Sequence, residues 1–168
     1  PGSNSVPHNT HVDGNFLITS WYRDGTTVHD ITYPNNMIQV GYYDSYAGSG
    51  DGFDGCWGTY PFLPSGNIIS SDRNSGALNN GRLMIYERNF NQASFLSGNV
   101  TDSITGNSIS GVNVQIINTT YNTTTNLTGA YDLSALDSGS FQVLFSSPGY
   151  TSQVFNVILV NGINVILD

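Results

Sequence analysis

Three groups of residues in this 168-residue chain have the types and spacing to do chemistry. Near the start, PHNTHVDG sets His8 and His11 three apart with Asp13 close behind. Imidazole and carboxylate are zinc ligands, but residues three apart in an extended segment point to opposite faces, so joint ligation would need a turn. Farther on, DSYAGSGDGFDGC at 44–56 offers Asp44, Asp51 and Asp54 among several free carbonyls, an all-oxygen set of the kind calcium takes. The spacing departs from D-x-[DN]-x-[DN]-G, because Gly52 and Phe53 separate Asp51 from Asp54. A solvated Gly/Asp loop therefore competes with a calcium loop. The third group is four Asn-x-Thr tripeptides, beginning at Asn99, Asn118, Asn122 and Asn126, each a potential acceptor of N-linked sugar. All four fall in the second half, and residues 1–95 contain none.

Catalytic patterns are missing. Neither a Gly-x-Ser-x-Gly elbow nor a His-Glu-x-x-His motif occurs, and Glu87, the single Glu, has no evident carboxylate partner for glycoside hydrolysis. The expectation is a protein that is not an enzyme and, calcium aside, uses no cofactor. Cys56 is the one cysteine, so there is no internal disulfide framework; beside Trp57 it reads as a small buried apolar residue rather than a nucleophile. His29, in TTVHD, reads as structural. Aromatic residues crowd the first half. Most belong to packing, while Tyr46 and Phe53, on the loop, could form a platform for a sugar or a subunit contact.

Only 10% of residues are charged, against roughly 25% in average soluble proteins, so solubility rests on Asn, Ser, Thr and Gly. The four basic residues are Arg23, Arg73, Arg82 and Arg88, there is no Lys, and the net charge is −8. Nucleic acid is excluded as a partner, since phosphate affinity comes from clustered cations, and an acidic membrane surface would repel the chain. No apolar run approaches the ~20 residues of a spanning helix, so no membrane insertion is expected. A start at Pro1 without Met or leader suggests a processed or trimmed product.

The elements that must position these residues are strands. Helical periodicity is almost absent, and short alternating runs are broken by Gly, Asn, Asp, Ser and Pro, the pattern of an all-β protein. Strands are expected near 15–22, 26–30, 37–43, 57–62, 67–72 and 82–87, with hairpin turns at RDG (23–25) and PSG (64–66). The Gly-rich interval 44–56 is too long for a hairpin turn and should be an exposed loop. Around 89–96 the character changes: Arg disappears and Trp and Tyr thin out, which sets two domains, 1–92 and 93–168. In the second, Val112, Val114 and Ile116 share one strand face and Phe141, Val143 and Phe145 another. Phe155, Val157 and Leu159 are followed across VNGI by Ile163, Val165 and Leu167, giving the two inner faces of a small sandwich.

Residues 96–168 resemble the carboxypeptidase regulatory-like domain on LSGNVTDSITGNSISGVNVQI, TTTNLTGAYDL and SGSFQVLFSSPGYTSQ, in the family's order and spacing. The resemblance implies a transthyretin-like, seven-stranded β-sandwich of a kind widespread in secreted and surface bacterial proteins, serving as scaffold or spacer without catalytic residues. It also implies a turn near 118–122, so that the clustered sequons flank a hairpin. Residues 6–88 resemble the C-terminal part of the choice-of-anchor B family on PHNTHVDGNFLITSWYRDG and MIQVGYYDSYAGSGDGFDGCWGTYPFLPSGNIISSD, which implies β-propeller-like repeats. That resemblance implies a small residue at position 56 and a shorter connection after Asp72 than this chain has.

Propeller repeats take roughly 40–45 residues per blade and rings about four to eight blades. The first domain therefore holds two blades at most, an incomplete ring whose open strands are ready to pair. The partners expected are other copies of this chain, in a homopolymer, or the remainder of a larger surface protein. The functional expectation is a non-enzymatic extracellular structural protein that self-assembles through β edges into a filament or matrix. The alternative is an adhesin-type module that binds glycan or protein.

Overall fold

The computed structural model describes residues 5–46, 48, 52–75 and 80–168, so Asp51 lies outside the described residues. The architecture is all-β, as expected: the described residues form fourteen strands and one short 3-10 turn at Pro34–Asn36, in two compact units, residues 1–91 and 92–168.

In the first unit β1 (Asn9–Asp13), β2 (Phe16–Ser20), β3 (Thr26–Asp30) and β4 (Ile38–Tyr43) form an antiparallel meander, and β5 (Cys56–Tyr60), β6 (Ile68–Ser75) and β7 (Asn80–Tyr86) form a second. Among the described residues neither closes into a barrel or ring. The RDG turn is closed by Trp21 N–H donating to the Gly25 carbonyl at 2.8 Å and Gly25 N–H to the Tyr22 carbonyl at 3.1 Å. At PSG, Gly66 N–H donates to the Leu63 carbonyl at 2.9 Å.

Strand β1 is not among those expected from the sequence, and its contacts explain why. Val12 points to solvent, while Asn9 faces β5: its side-chain amide donates to the Thr59 carbonyl at 3.2 Å and accepts from the Thr59 N–H at 3.0 Å. A strand whose inner face is polar carries no hydrophobic alternation to read. The Asn9 amide instead satisfies the β5 backbone as a neighbouring strand would.

Between the two meanders Ile18, Val28 and Ile68 are buried, with Phe16, Val40, Tyr86 and Phe90 packed against them. Beside this small cluster runs a chain of hydroxyls: Thr26 Oγ1 lies 2.8 Å from Ser70 Oγ, which donates to Thr59 Oγ1 at 3.1 Å. On the side away from β1 the sheets part. A groove of about 400 Å³ opens there, with Val28, Ile68 and Phe90 beneath and Tyr42, Tyr43 and Ile85 at its rim.

The second unit has the seven strands of a sandwich: β8 (Ser94–Asn99), β9 (Asn113–Ile116), β10 (Asn122–Thr124), β11 (Ala130–Ala135), β12 (Gly139–Ser146), β13 (Gln153–Leu159) and β14 (Asn164–Ile166). One sheet runs β10-β9-β12-β13 and the other β11-β8-β14. After VNGI, β14 crosses to the second sheet and pairs parallel with β8, Val165 opposite Leu96. The alternation predicted for Val112, Val114 and Ile116 is present, all three being buried with Leu96, Leu133, Val143, Phe145, Val157 and Leu159 in one core. Gly129, at φ +76°, closes the turn before Tyr131 by donating to the Asn126 carbonyl at 3.0 Å; a Cβ there would lie 2.6 Å from the Val100 carbonyl oxygen, so only glycine fits.

Candidate functional site

The densest arrangement of chemically distinctive side chains lies in the first unit, where the β2–β3 turn meets the start of β5. Tyr22, at φ +47°, exchanges two backbone hydrogen bonds with Cys56, at 3.0 and 2.7 Å. That close approach requires Gly55: at φ +86° its Cβ would sit 2.4 Å from the Tyr22 carbonyl oxygen. Tyr22 is buried, and the rings around it meet edge to face, Phe53 at 5.2 Å and His8 at 5.4 Å between centroids. His8 also lies 4.4 Å from the ring of Trp57.

Two guanidinium groups frame these rings. Arg73 stands 4.9 Å from the Trp57 ring centre and donates to the Phe53 carbonyl at 3.3 Å. Arg23 stands 4.9 Å from the Tyr46 ring and pairs with Asp54 at 2.8 Å. Cation–π contacts of this kind contribute about 0.5–1 kcal/mol at exposed sites. Despite these contacts Phe53 remains 61% and Trp57 42% exposed. Exposed aromatic faces rimmed by fixed donors can stack on the apolar face of a sugar ring or receive a side chain from a protein.

Of Tyr46 and Phe53, expected as a platform, Tyr46 packs its ring against Arg23, while Phe53 packs its ring on Tyr22 and accepts from Arg73 through its backbone carbonyl. Trp57, Arg23 and Arg73 join them without having been singled out from the sequence, and His8, which the sequence offered as a metal ligand, packs against the rings instead. The crowding of aromatics was visible there; that residue 8 would rest on residue 57 depends on how β1 docks against β5.

The calcium candidates are differently placed. Asp54 is engaged by Arg23. Asp44 is exposed and its Oδ1 accepts the Tyr46 N–H at 2.8 Å, an Asx turn. Partial burial pushes its carboxyl upward against that hydrogen bond, with Asp24 and Asp72 adding to the rise. Among the described residues no three His, Cys, Asp or Glu side chains converge to hold a metal ion. His8 and His11 part company: His11 rests edge-on against Phe62 at 5.6 Å and Tyr60 at 6.2 Å, while Asp13 pairs with Arg88. Cys56 is buried with its sulfur 3.3 Å from Thr26 Oγ1. Burial pushes its thiol pKa up, which keeps it protonated and unreactive.

In the second unit all four sequon asparagines are exposed. Asn118, at φ +64°, turns the chain between β9 and β10; Asn122 opens β10 opposite Gln115, and Asn126 follows it. The Asn126 Oδ1 accepts from Thr128 N–H and Oγ1 and from Ala130 N–H, at 2.8–3.0 Å. Asn99 ends β8, opposite Ala130.

The second unit is thus a small two-sheet sandwich whose loops carry polar turns. Residues 96–168 match the family of the carboxypeptidase regulatory-like domain, and this unit is similar to that domain from Leu96 to Asp168. No curated protein and no solved structure matches the chain.

Proposed function

We propose that the chain is a non-enzymatic, extracellular structural protein of the cell surface, which associates through exposed β edges with other copies of itself, or with the rest of a larger surface protein, to build a filament or matrix. The observation that carries this reading is the state of the edges. β13 borders open solvent with Val154 and Ile158 exposed, and β4 and β7 border a groove of mixed polarity with Tyr42, Tyr43 and Ile85 exposed; an unpaired strand flanked by apolar residues is a template for pairing. In this reading the two meanders are propeller-like blades of the choice-of-anchor B type whose ring is left incomplete. The exposed Asn99, Asn118, Asn122 and Asn126 carry sugar, confined to the second unit. Negative-stain microscopy of the purified chain should show linear or sheet-like assemblies; compact monomers at every concentration would sink the assembly reading. Intact-mass measurement of native material should show glycan mass removable by an amidase specific for Asn-linked sugar.

A second reading is favoured by the aromatic and arginine arrangement around Tyr22: an adhesin-type module that takes a glycan or a protein loop on Phe53 and Trp57. Phe53→Ala and Tyr46→Ala should then abolish capture on a glycan array while leaving the circular dichroism spectrum unchanged. Unchanged capture would remove this surface from consideration.

A further inference from the structure

The longest regular edge of the second unit is β13, and the direction of its backbone groups follows from the ladder. Ile117 N–H donates to the Gln142 carbonyl at 2.9 Å, so the even residues of β12 bond towards β9. In an antiparallel strand both polar groups of a residue point the same way. The odd residues of β12 therefore bond to β13, where Phe141 faces Val157 and Val143 faces Phe155. This leaves Val154, Asn156 and Ile158 with N–H and C=O directed away from the sheet, and no strand pairs with them.

Five other edges carry devices that discourage pairing. β10 and β14 are three residues long. β11 bears Asp132 and β7 bears Arg82. β4 is bulged at Val40, because Val28 faces Gly41 while His29 faces Gln39. β13 has none of these: QVFNVIL is seven residues without charge, Pro or bulge, with Ile158 68% and Val154 49% exposed.

We propose that β13 pairs antiparallel with β13 of a second copy, about a twofold axis at Asn156. The sequence is self-complementary in that register. Asn156 faces Asn156 of the partner subunit, and Val154 faces Ile158 of the partner subunit on both sides of the axis. All six outward backbone groups on each copy are satisfied together, and aliphatic pairs cover one another on the outer face. A uniform strip without charge repels no second copy of itself, whereas its lack of charge offers nothing to an ionic partner. The contact is isologous and closes at two chains, so a filament needs a second contact elsewhere on the chain. The proposal rests on the edge-association reading but adds one edge, one partner and one register. A seam of this length buries less than the roughly 1,200–2,000 Å² of a stable interface, so the dimer is concentration-dependent.

Sedimentation of the full chain should show reversible dimers, and Ile158→Lys, at an exposed position outside the core, should raise the dissociation constant more than about tenfold. Register is tested by cysteine. Asn156→Cys places two sulfurs across the axis, at the about 5.5 Å Cα separation of a bonded pair, within reach of a disulfide. It should crosslink on mild oxidation, whereas Val154→Cys, facing position 158, should not. Equal crosslinking of both variants overturns the register. An association unaffected by Ile158→Lys and uncrosslinked through Asn156→Cys overturns the seam and leaves edge association elsewhere standing. A chain that stays monomeric up to about 1 mM overturns both.

Discussion

The two units bury their interiors with different materials. In the second, eleven buried apolar residues form one continuous cluster, from Leu96 through Val143 to Leu159. In the first, the buried cluster is Ile18, Val28 and Ile68, and the space between the sheets is shared with Thr26, Thr59, Ser70, Asp30 and Asp72, all nearly inaccessible. Apolar burial contributes about 25 cal/mol per Å² without regard to direction. A buried hydroxyl chain contributes only about 0.5–1.5 kcal/mol net per hydrogen bond and must be complete to do so. The second unit is therefore held by a core and the first by a network, and a network of that kind depends on every partner staying in place.

The largest test of this difference is to separate the units. Residues 92–168 expressed alone should fold and melt in a single cooperative transition, while residues 1–91 alone should give a broad, weakly cooperative one. Calorimetry of the intact chain should correspondingly show two transitions, the lower belonging to the first unit. A first unit that melts alone as sharply as the second would break the contrast.

Within the second unit, Leu96→Ala removes a wholly buried core side chain of β8, the strand that runs between β11 and β14. The loss should be about 2–5 kcal/mol, transfer and cavity together, read as a fall in the upper transition with the lower unmoved. A shift in both transitions would mean that the units share stability.

How far these interiors could be read in the sequence follows from the same contrast. Val112, Val114 and Ile116 alternate because a sheet face must be apolar when nothing else fills the core, so the sandwich was legible strand by strand. In the first unit β1 was not legible, because Asn9 and His11 face inward and Val12 outward. Tyr46 and Phe53 could be named from exposure and type, whereas their arginine partners depend on a turn that brings Arg23 beside Asp54. Position 56 shows the limit from the other side. Its thiol fits because Thr26 offers a hydroxyl at 3.3 Å, a contact between residues thirty apart that no local pattern announces.

Ser70→Ala probes the network of the first unit directly. Ser70 links Thr26 on β3 to Thr59 on β5, so its loss cuts the hydroxyl chain between the sheets. Thr26 keeps the Cys56 sulfur and Thr59 keeps the Ile69 carbonyl, which places the cost near about 1 kcal/mol, the lower end for a buried hydroxyl. The lower transition should fall and the upper one hold. No change in either would show that the hydroxyl chain is incidental to the first unit.

The smallest effect concerns pH and again separates the units. His29 on β3 faces Leu17 and Gln39, and burial lowers its pKa below the ordinary value. An unfolded histidine takes up its proton near pH 6.5, so below that pH the unfolded chain binds more protons than the folded one at this site. Stability of the first unit therefore rises with pH through this window and declines as pH falls from about 6.5 towards the depressed folded value. Urea unfolding followed at pH 7 and pH 5 should show the intact chain losing more stability in its lower transition than His29→Gln does. The carboxylates common to both chains cancel in that difference, and the second unit, which contains no histidine, should show none. An equal loss in the variant would mean that another group carries the acid sensitivity of the first unit.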